Sequence, residues 1–341
     1  MANYSKVKTG WRAQVAVQGV RESRTLSTKA EAVAWATARE TEIRTGKATG
    51  IQAGKTVGDA FNRYEKEVST AKRGHRFEAL RLAAIGDWKL KDAPYRDMEF
   101  REIRLVDATS EVLGKWRDHR LNVDKVTGST VNRELNLLSN VFTVAAKEWK
   151  WIVASPTTDV RRPKESKPRD RLYTDDEIER ICFALGFDLG DEHQAETVSQ
   201  RVAVAFLFAI ETAMRAGEIC GLLPRDISGR VATLTETKNG TKRKVPLTKR
   251  AVELLELLPA PGEGATIFNV SSKSLDTLFR KAKARAAIDD ATFHDTRHLA
   301  ITRLAKKLHV LDLARMVGHR DLKQLQVYYN ETAEEMAKLL D

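Results

Sequence analysis

Residues 155–171 read Ser-Pro-Thr-Thr-Asp-Val-Arg-Arg-Pro-Lys-Glu-Ser-Lys-Pro-Arg-Asp-Arg, with three prolines, six basic residues from Arg161 onward and no apolar period. Proline removes backbone donors, and without a periodic apolar face the stretch has nothing to bury as helix or strand. It predicts an extended, basic interdomain linker over residues 161–172, so the 341-residue chain must build separate cores on either side. A 42% hydrophobic and 31% charged composition supplies those cores and excludes a disordered or fibrous chain. No apolar run approaches the roughly 18–20 residues that span a bilayer. The first residues lack the apolar segment of a secretory signal. Cys182 and Cys220 are far apart and form no CxxC pair, which excludes a disulfide scaffold or zinc ribbon and predicts a reducing cytoplasm. A formal charge of +11 points to a polyanionic partner, most often nucleic acid.

Three blocks follow from local patterning. In residues 1–54, Trp11, Ala13, Val15 and Val17 alternate with Arg12 and Gln14 as in a half-buried strand. Gln18-Gly19 offers a turn into a second strand over residues 21–26. Ser27 or Thr28 then caps a helix, with Glu31 placed for a capping box. Through Gly50 this block holds nine Lys or Arg and four Glu, a local +5. A small sheet backed by a helix, with basic strands in front, is a shape that reads a DNA groove. Gly54-Lys55-Thr56 ends like a phosphate-binding loop, but the pattern's first glycine falls on Thr49 and no strand leads in, so a nucleotide site is rejected.

Residues 55–160 predict a helical domain. One face carries Val57, Ala60, Phe61 and Tyr64, a second Val112, Leu113 and Trp116, and a third Val131, Leu135, Leu138, Val141, Phe142 and Ala145. Between them Lys72-Arg73-Gly74-His75-Arg76 forms a basic loop, and Asn132 with Arg133 lies on a polar side near the third helix start. Residues 173–341 open with the helix cap Thr174 and first-turn acids Asp175, Asp176 and Glu177, where a cap outweighs a metal cluster. Residues 202–210 are almost all apolar, a buried central helix. Residues 230–237 and 244–247 are strand-like, with Asn239-Gly240 as the hairpin turn, and the remainder is helical. The whole is mainly α and multidomain, with a small N-terminal sheet-plus-helix domain, a helical domain, and a mixed α/β but mostly α last domain.

Four segments of that last domain concentrate chemically expensive residues. Arg215 follows the buried helix with Glu218 three positions on. Lys238 stands at the hairpin, with Lys242 and Lys244 close by. His294 and Arg297 share one helix face at i,i+3 spacing. His319 ends another helix, and Tyr328 and Tyr329 follow nine and ten residues later. Singly, each has a structural explanation: a salt bridge, a solvated lysine, a helix cap, tyrosine packing. Order and spacing together set them apart.

The set resembles the tyrosine recombinase family, the phage integrases in particular. Thr212-Ala213-Met214-Arg215-Ala216-Gly217-Glu218-Ile219 is similar to the family's first arginine box, His294-Asp295-Thr296-Arg297-His298 to its HxxR box, and Val317-Gly318-His319 with Tyr328 to its LGH…Y box, with Val317 for the usual Leu. The resemblance implies an arm-type DNA-binding domain at 1–54, a core-binding domain at 55–160, the linker at 161–172 and a catalytic domain at 173–341. It implies a site-specific recombinase that cleaves and rejoins DNA through a 3′-phosphotyrosyl ester, integrating and excising a mobile element or phage genome.

In that reading Tyr328 is the nucleophile and Tyr329 packs. Arg215 and Arg297 brace the nonbridging oxygens as planar forks. Lys238, or a neighbouring lysine, protonates the 5′ oxygen, His294 assists the tyrosine, and His319 bonds the phosphate. Glu218 orients Arg215, and His298, one turn from His294, is structural. No metal or cofactor is implied. Candidate DNA contacts are Arg12, Arg21, Arg24, Lys72, Arg73, Arg76, Asn132, Arg133, Arg161, Arg162 and Lys164. Implied partners are double-stranded DNA at core and arm sites, a homotetramer on DNA, and accessory bending or directionality factors, in a bacterial cytoplasm at the nucleoid and with no membrane. A final helix over residues 331–340, with Met336, Leu339 and Leu340, is expected to dock on a neighbouring subunit. A type IB topoisomerase and a non-catalytic DNA-binding regulator are the alternatives.

Overall fold

The computed structural model describes residues 2–7, 9–17, 20–44, 54–166, 170–190, 193–235, 242–319 and 321–329. The chain divides into two compact units, Met1–Pro168 and Arg169–Asp341. The Gln18-Gly19 and Asn239-Gly240 turns, Lys238 and the final helix lie outside the described residues.

The first unit opens with an antiparallel meander of β1 (Asn3–Val7), β2 (Gly10–Val17) and β3 (Val20–Leu26), followed by α1 (Lys29–Arg44). Alternation along β2 buries Ala13 and Val15 against Ala32, Ala36 and Ile43, while Arg12, Gln14 and Ala16 face outward. Thr28 caps α1 with a reciprocal box: its hydroxyl accepts from the Glu31 N–H at 3.2 Å, and its own N–H donates to the Glu31 carboxylate at 3.2 Å. β1 was not foreseen. Its residues show no alternation of apolar side chains, and it is held as an edge strand by backbone pairing to β2.

The same unit continues with α2 (Val57–Glu67), α3 (His75–Gly86), α4 (Ser110–Asn122) and α5 (Gly128–Lys147). The Thr56 of the rejected phosphate-loop motif instead caps α2, in a box with Asp59. The expected faces of α2 and α5 are buried together with Trp116 and Leu113 of α4. Each large apolar side chain contributes roughly 1.5–3 kcal/mol by leaving water. The following chain is strapped onto α4 and α5. The Arg161 carbonyl accepts from Arg117 at 2.8 Å, the Pro163 carbonyl from Asn132 at 3.0 Å, and the Ser166 N–H donates to Ser129 at 3.3 Å. Gly128 permits this approach, since a Cβ there would sit 2.1 Å from the Lys164 carbonyl oxygen.

The second unit is built around α7 (Val198–Thr212), which is buried along nearly its whole length. It follows α6 (Asp175–Ala184), whose Thr174 cap and Glu177 form a reciprocal box. Next come α8 (Ala216–Cys220) and a three-stranded sheet in the order β4 (Ile227–Ser228), β5 (Val231–Leu234), β6 (Arg243–Pro246). α9 (Lys249–Glu256), α10 (Ser272–Arg285), α11 (Asp295–Ala305) and α12 (Val310–Val317) complete the core. Two short 3-10 turns, Leu322–Gln324 and Gln326–Tyr328, carry the chain to the tyrosines. α11 packs directly on α7, and α12 against β6. Among the described residues, no helix is long and apolar enough to cross a membrane.

Candidate active site

Three segments converge at one end of α7. That helix stops at Ala213, held left-handed at φ 55°, so the chain turns sharply and Arg215 becomes the N-cap of α8. Glu218 closes a box on it: one carboxylate oxygen accepts from the Arg215 N–H at 2.8 Å, the other from its guanidinium at 3.1 Å. Arg243, on β6, donates to both oxygens of the same carboxylate at 2.8 and 2.7 Å. Burial alone would raise the Glu218 pKa, but the bonds from Arg243 and Arg215 outweigh it and hold the carboxyl below its ordinary value.

Arg297 ties the segments together. It is 4% exposed, and its two terminal nitrogens donate to the carbonyl of Ala213 and, at 2.5 Å, to that of Val317. Burial, then Arg215 and Arg243, lower its proton affinity, yet a guanidinium stays charged in a protein. His294 stands at the N-terminus of α11, where burial, then His298, Arg297 and Arg215, push its pKa down. Past Val317, the left-handed Gly318 (φ 70°) caps α12 and delivers His319. Burial and the cations Arg297, Arg215 and Arg243 push the His319 pKa down to about 4, so the imidazole is neutral at pH 7. Its Nδ1 is buried without a partner among the described residues.

The two tyrosines are separated by their bonds. The Tyr328 hydroxyl lies 2.7 Å from Nδ1 of His298, whose ring meets that of His294 edge-on at 5.8 Å. Burial raises the Tyr328 pKa, opposed by Arg297. The Tyr329 hydroxyl instead donates to the Leu308 carbonyl at 2.8 Å. Arg215, His294, His319 and Tyr328 each lie within electrostatic reach of Arg297. Two placements bear on the expected roles. His298 was assigned a structural place, and it is the residue that holds the Tyr328 hydroxyl, the position given to His294. Of the lysines set beside Lys238, Lys242 and Lys244 are exposed, and along β6 Lys244 faces away from the buried Arg243.

The DNA-contact candidates divide. Arg12 and Arg21 share the open face of the sheet, Arg12 donating to Ser23 at 3.1 Å. Arg24 lies opposite the buried Ala13, on the helix-covered face, and does not join them. Lys72 is bonded to the Tyr64 hydroxyl and to Glu78 at 2.9 Å, with its side chain 37% exposed. Arg73 and Arg76 are exposed. Asn132 is 8% exposed with its amide on the Pro163 carbonyl and Glu165, so it clamps the linker and does not reach outward. Its neighbour Arg133 is exposed. Arg161, Arg162 and Lys164 are exposed on a strap pinned through its main chain, with Arg162 also donating to the Asn132 carbonyl at 3.0 Å.

Arg243 escaped notice in the sequence, although a signal was present. In Arg243-Lys244-Val245-Pro246, the inward Val245 puts Arg243 on the inward face, and a buried cation needs an acid opposite it.

Comparison with known proteins gives one answer. The family model described as the phage integrase family matches residues 174–335. A Haemophilus influenzae protein named as an integrase/recombinase is 36% identical over 311 residues, covering 90% of this chain and 97% of that protein. The shufflon-specific DNA recombinase of Escherichia coli is 35% identical over 296 residues, covering 84% of this chain and 72% of that protein. A lambda integrase tetramer bound to a Holliday junction shares the fold, with a TM-score of 0.61 at 19% identity over 94% of this chain and 96% of that one. With three motif segments joined at Arg297 and a tyrosine hydroxyl held beside them, the chain belongs to the phage integrase family of tyrosine recombinases.

Proposed function

We propose that this recombinase cuts and rejoins DNA strands at specific sites through a 3′-phosphotyrosyl ester on Tyr328, moving a mobile element or phage genome into and out of a chromosome. The observation that carries this reading is the Tyr328 hydroxyl, 2.7 Å from Nδ1 of His298 and within electrostatic reach of Arg297, which in turn neighbours Arg215 and His319. The Tyr328 oxygen attacks phosphorus while its proton passes to Nδ1 of His298. The bond from phosphorus to the 5′ oxygen breaks, and that oxygen takes a proton from Lys238, a role carried over from the family. Arg215 and Arg297 offset the charge growing on the nonbridging oxygens, with His294 and His319 as further donors. One phosphodiester is exchanged for another, so attack by a free 5′-hydroxyl reverses the step and rejoins the strand.

The lambda integrase relative, a tetramer on a Holliday junction, supports assembly of this chain into a homotetramer on double-stranded DNA. Residues 1–54 then act as the arm-site domain through the face of Arg12 and Arg21, and residues 55–160 as the core-site domain through Arg73, Arg76 and Arg133. The basic linker 161–172 joins them to the catalytic domain 173–341, and accessory bending proteins set direction.

The test is a nicked half-site DNA, chosen by screening attachment sequences flanking the coding gene. It is incubated without metal with wild type, Tyr328→Phe and Tyr329→Phe and run on a denaturing gel. A covalent protein–DNA band lost only in Tyr328→Phe supports the reading. Tight binding with no band in any protein overturns it in favour of a DNA-binding regulator.

A further inference from the structure

Arg243 is a cation in the site that the reaction outlined above does not use. Strand alternation turns it and Val245 inward, and it is 9% exposed. Arginine is rarely buried without a partner. Its partner is Glu218, gripped fork to fork through both oxygens, the geometry that gives a guanidinium its directional hold. Glu218 is at the same time the carboxylate that fixes the backbone and side chain of Arg215.

A second contact runs to the tyrosine-bearing end of the unit. A Cβ placed on Gly318 would lie 3.1 Å from a terminal nitrogen of Arg243 and 3.2 Å from its Cδ. The left-handed turn that presents His319 is therefore packed directly on this guanidinium, where glycine suits the φ of 70° and a Cβ would crowd the arginine. Nε of Arg243, like Nδ1 of His319, is buried with no partner among the described residues.

We propose that Arg243 is a positioning residue for strand cleavage: through Glu218 and the Gly318 turn it holds Arg215 and His319 in register on the scissile phosphate. This rests on the recombinase reading. Arg243 touches no reacting atom. It sets where two phosphate-binding groups stand.

The test uses the full chain with Arg243→Met and Arg243→Lys. Single-turnover cleavage of the nicked half-site, DNA affinity and thermal unfolding are measured together, with the His319 imidazole followed by NMR titration without DNA. The expected result is a cleavage rate down about 100-fold in Arg243→Met, the scale of losing one preorganised contact, with DNA affinity within about threefold of wild type. Arg243→Lys keeps the charge but not the fork and recovers only part of the rate. His319 faces Arg297, Arg215, Arg243 and His298, and its titration moves up in Arg243→Met as one facing cation is lost.

Cleavage within about twofold of wild type in folded Arg243→Met overturns the proposal, as does a loss of affinity as large as the loss of rate. If Arg243→Met does not fold, Arg243→Lys decides by the same criterion. If wild type itself forms no covalent band, the recombinase reading falls, and an unmoved His319 titration then overturns the positioning role independently.

Discussion

Nδ1 of His298 stands 2.7 Å from the Tyr328 hydroxyl, while the adjacent Tyr329 spends its hydroxyl on the Leu308 carbonyl. Adjacent residues with the same side chain are therefore committed to different tasks. Tyr328→Phe is expected to abolish the covalent band. Tyr329→Phe should keep the band and lose about 1 kcal/mol of stability with its hydrogen bond. His298→Phe, which keeps a flat ring but removes the acceptor, should slow cleavage about 100-fold. Single-turnover gels and urea denaturation read the three. An active Tyr328→Phe would refute the assignment.

The His319 imidazole gives the second unit a pH signature. Folded, it resists protonation down to about pH 4, below the ordinary histidine value of 6.5. Between those values the unfolded chain binds the proton and the folded chain does not, so stability falls as pH drops through that window. The lowered His294 pKa acts in the same direction. His319→Gln should lose less stability than wild type between pH 7 and pH 5. Equal losses in urea melts at the two pH values would show that His319 is not held neutral.

Arg297 spans two buried carbonyls, those of Ala213 and Val317. A lysine has no fork to reach both, so Arg297→Lys strands one carbonyl and should cost about 1–3 kcal/mol along with cleavage activity. Guanidinium denaturation together with the nicked-substrate gel measures both. A variant that melts like wild type would mean the two carbonyls find other donors.

Asn132 and Arg133 are neighbours on α5 with opposite fates, one clamping Pro163 and the other exposed. Asn132→Ala should weaken the strap by about 1 kcal/mol, seen as faster proteolysis within residues 161–166, and leave the salt dependence of DNA binding unchanged. Arg133→Ala should reduce the slope of log affinity against log salt by about 1. The reverse pattern would return Asn132 to the DNA-contact role first given to it.

Much of the framework was legible in the sequence because the relevant forces are periodic or local. The buried faces of α2 and α5 follow helical spacing, and Thr28 and Thr174 announce their caps through an acid three residues on. The order of the motif segments suffices to recognise the family, since chemistry constrains residue type and spacing together. What escaped depends on three-dimensional placement. β1 is an edge strand stabilised by backbone pairing, which leaves little trace in side-chain type. Asn132 reads as polar surface until the linker folds over it. His294 and His298 are one turn apart, and which of them meets Tyr328 is decided by two 3-10 turns far along the chain. An arginine in the sequence looks the same whether solvated or, like Arg243, buried on a carboxylate.

The bonds from Arg297 also bear on how the second unit closes. Ala213 and Val317 belong to helices far apart in the chain, and one side chain reads the ends of both. A chain cut before Val317 keeps the first of these acceptors and lacks the second, so the buried guanidinium closes the unit only when both helix ends are in place.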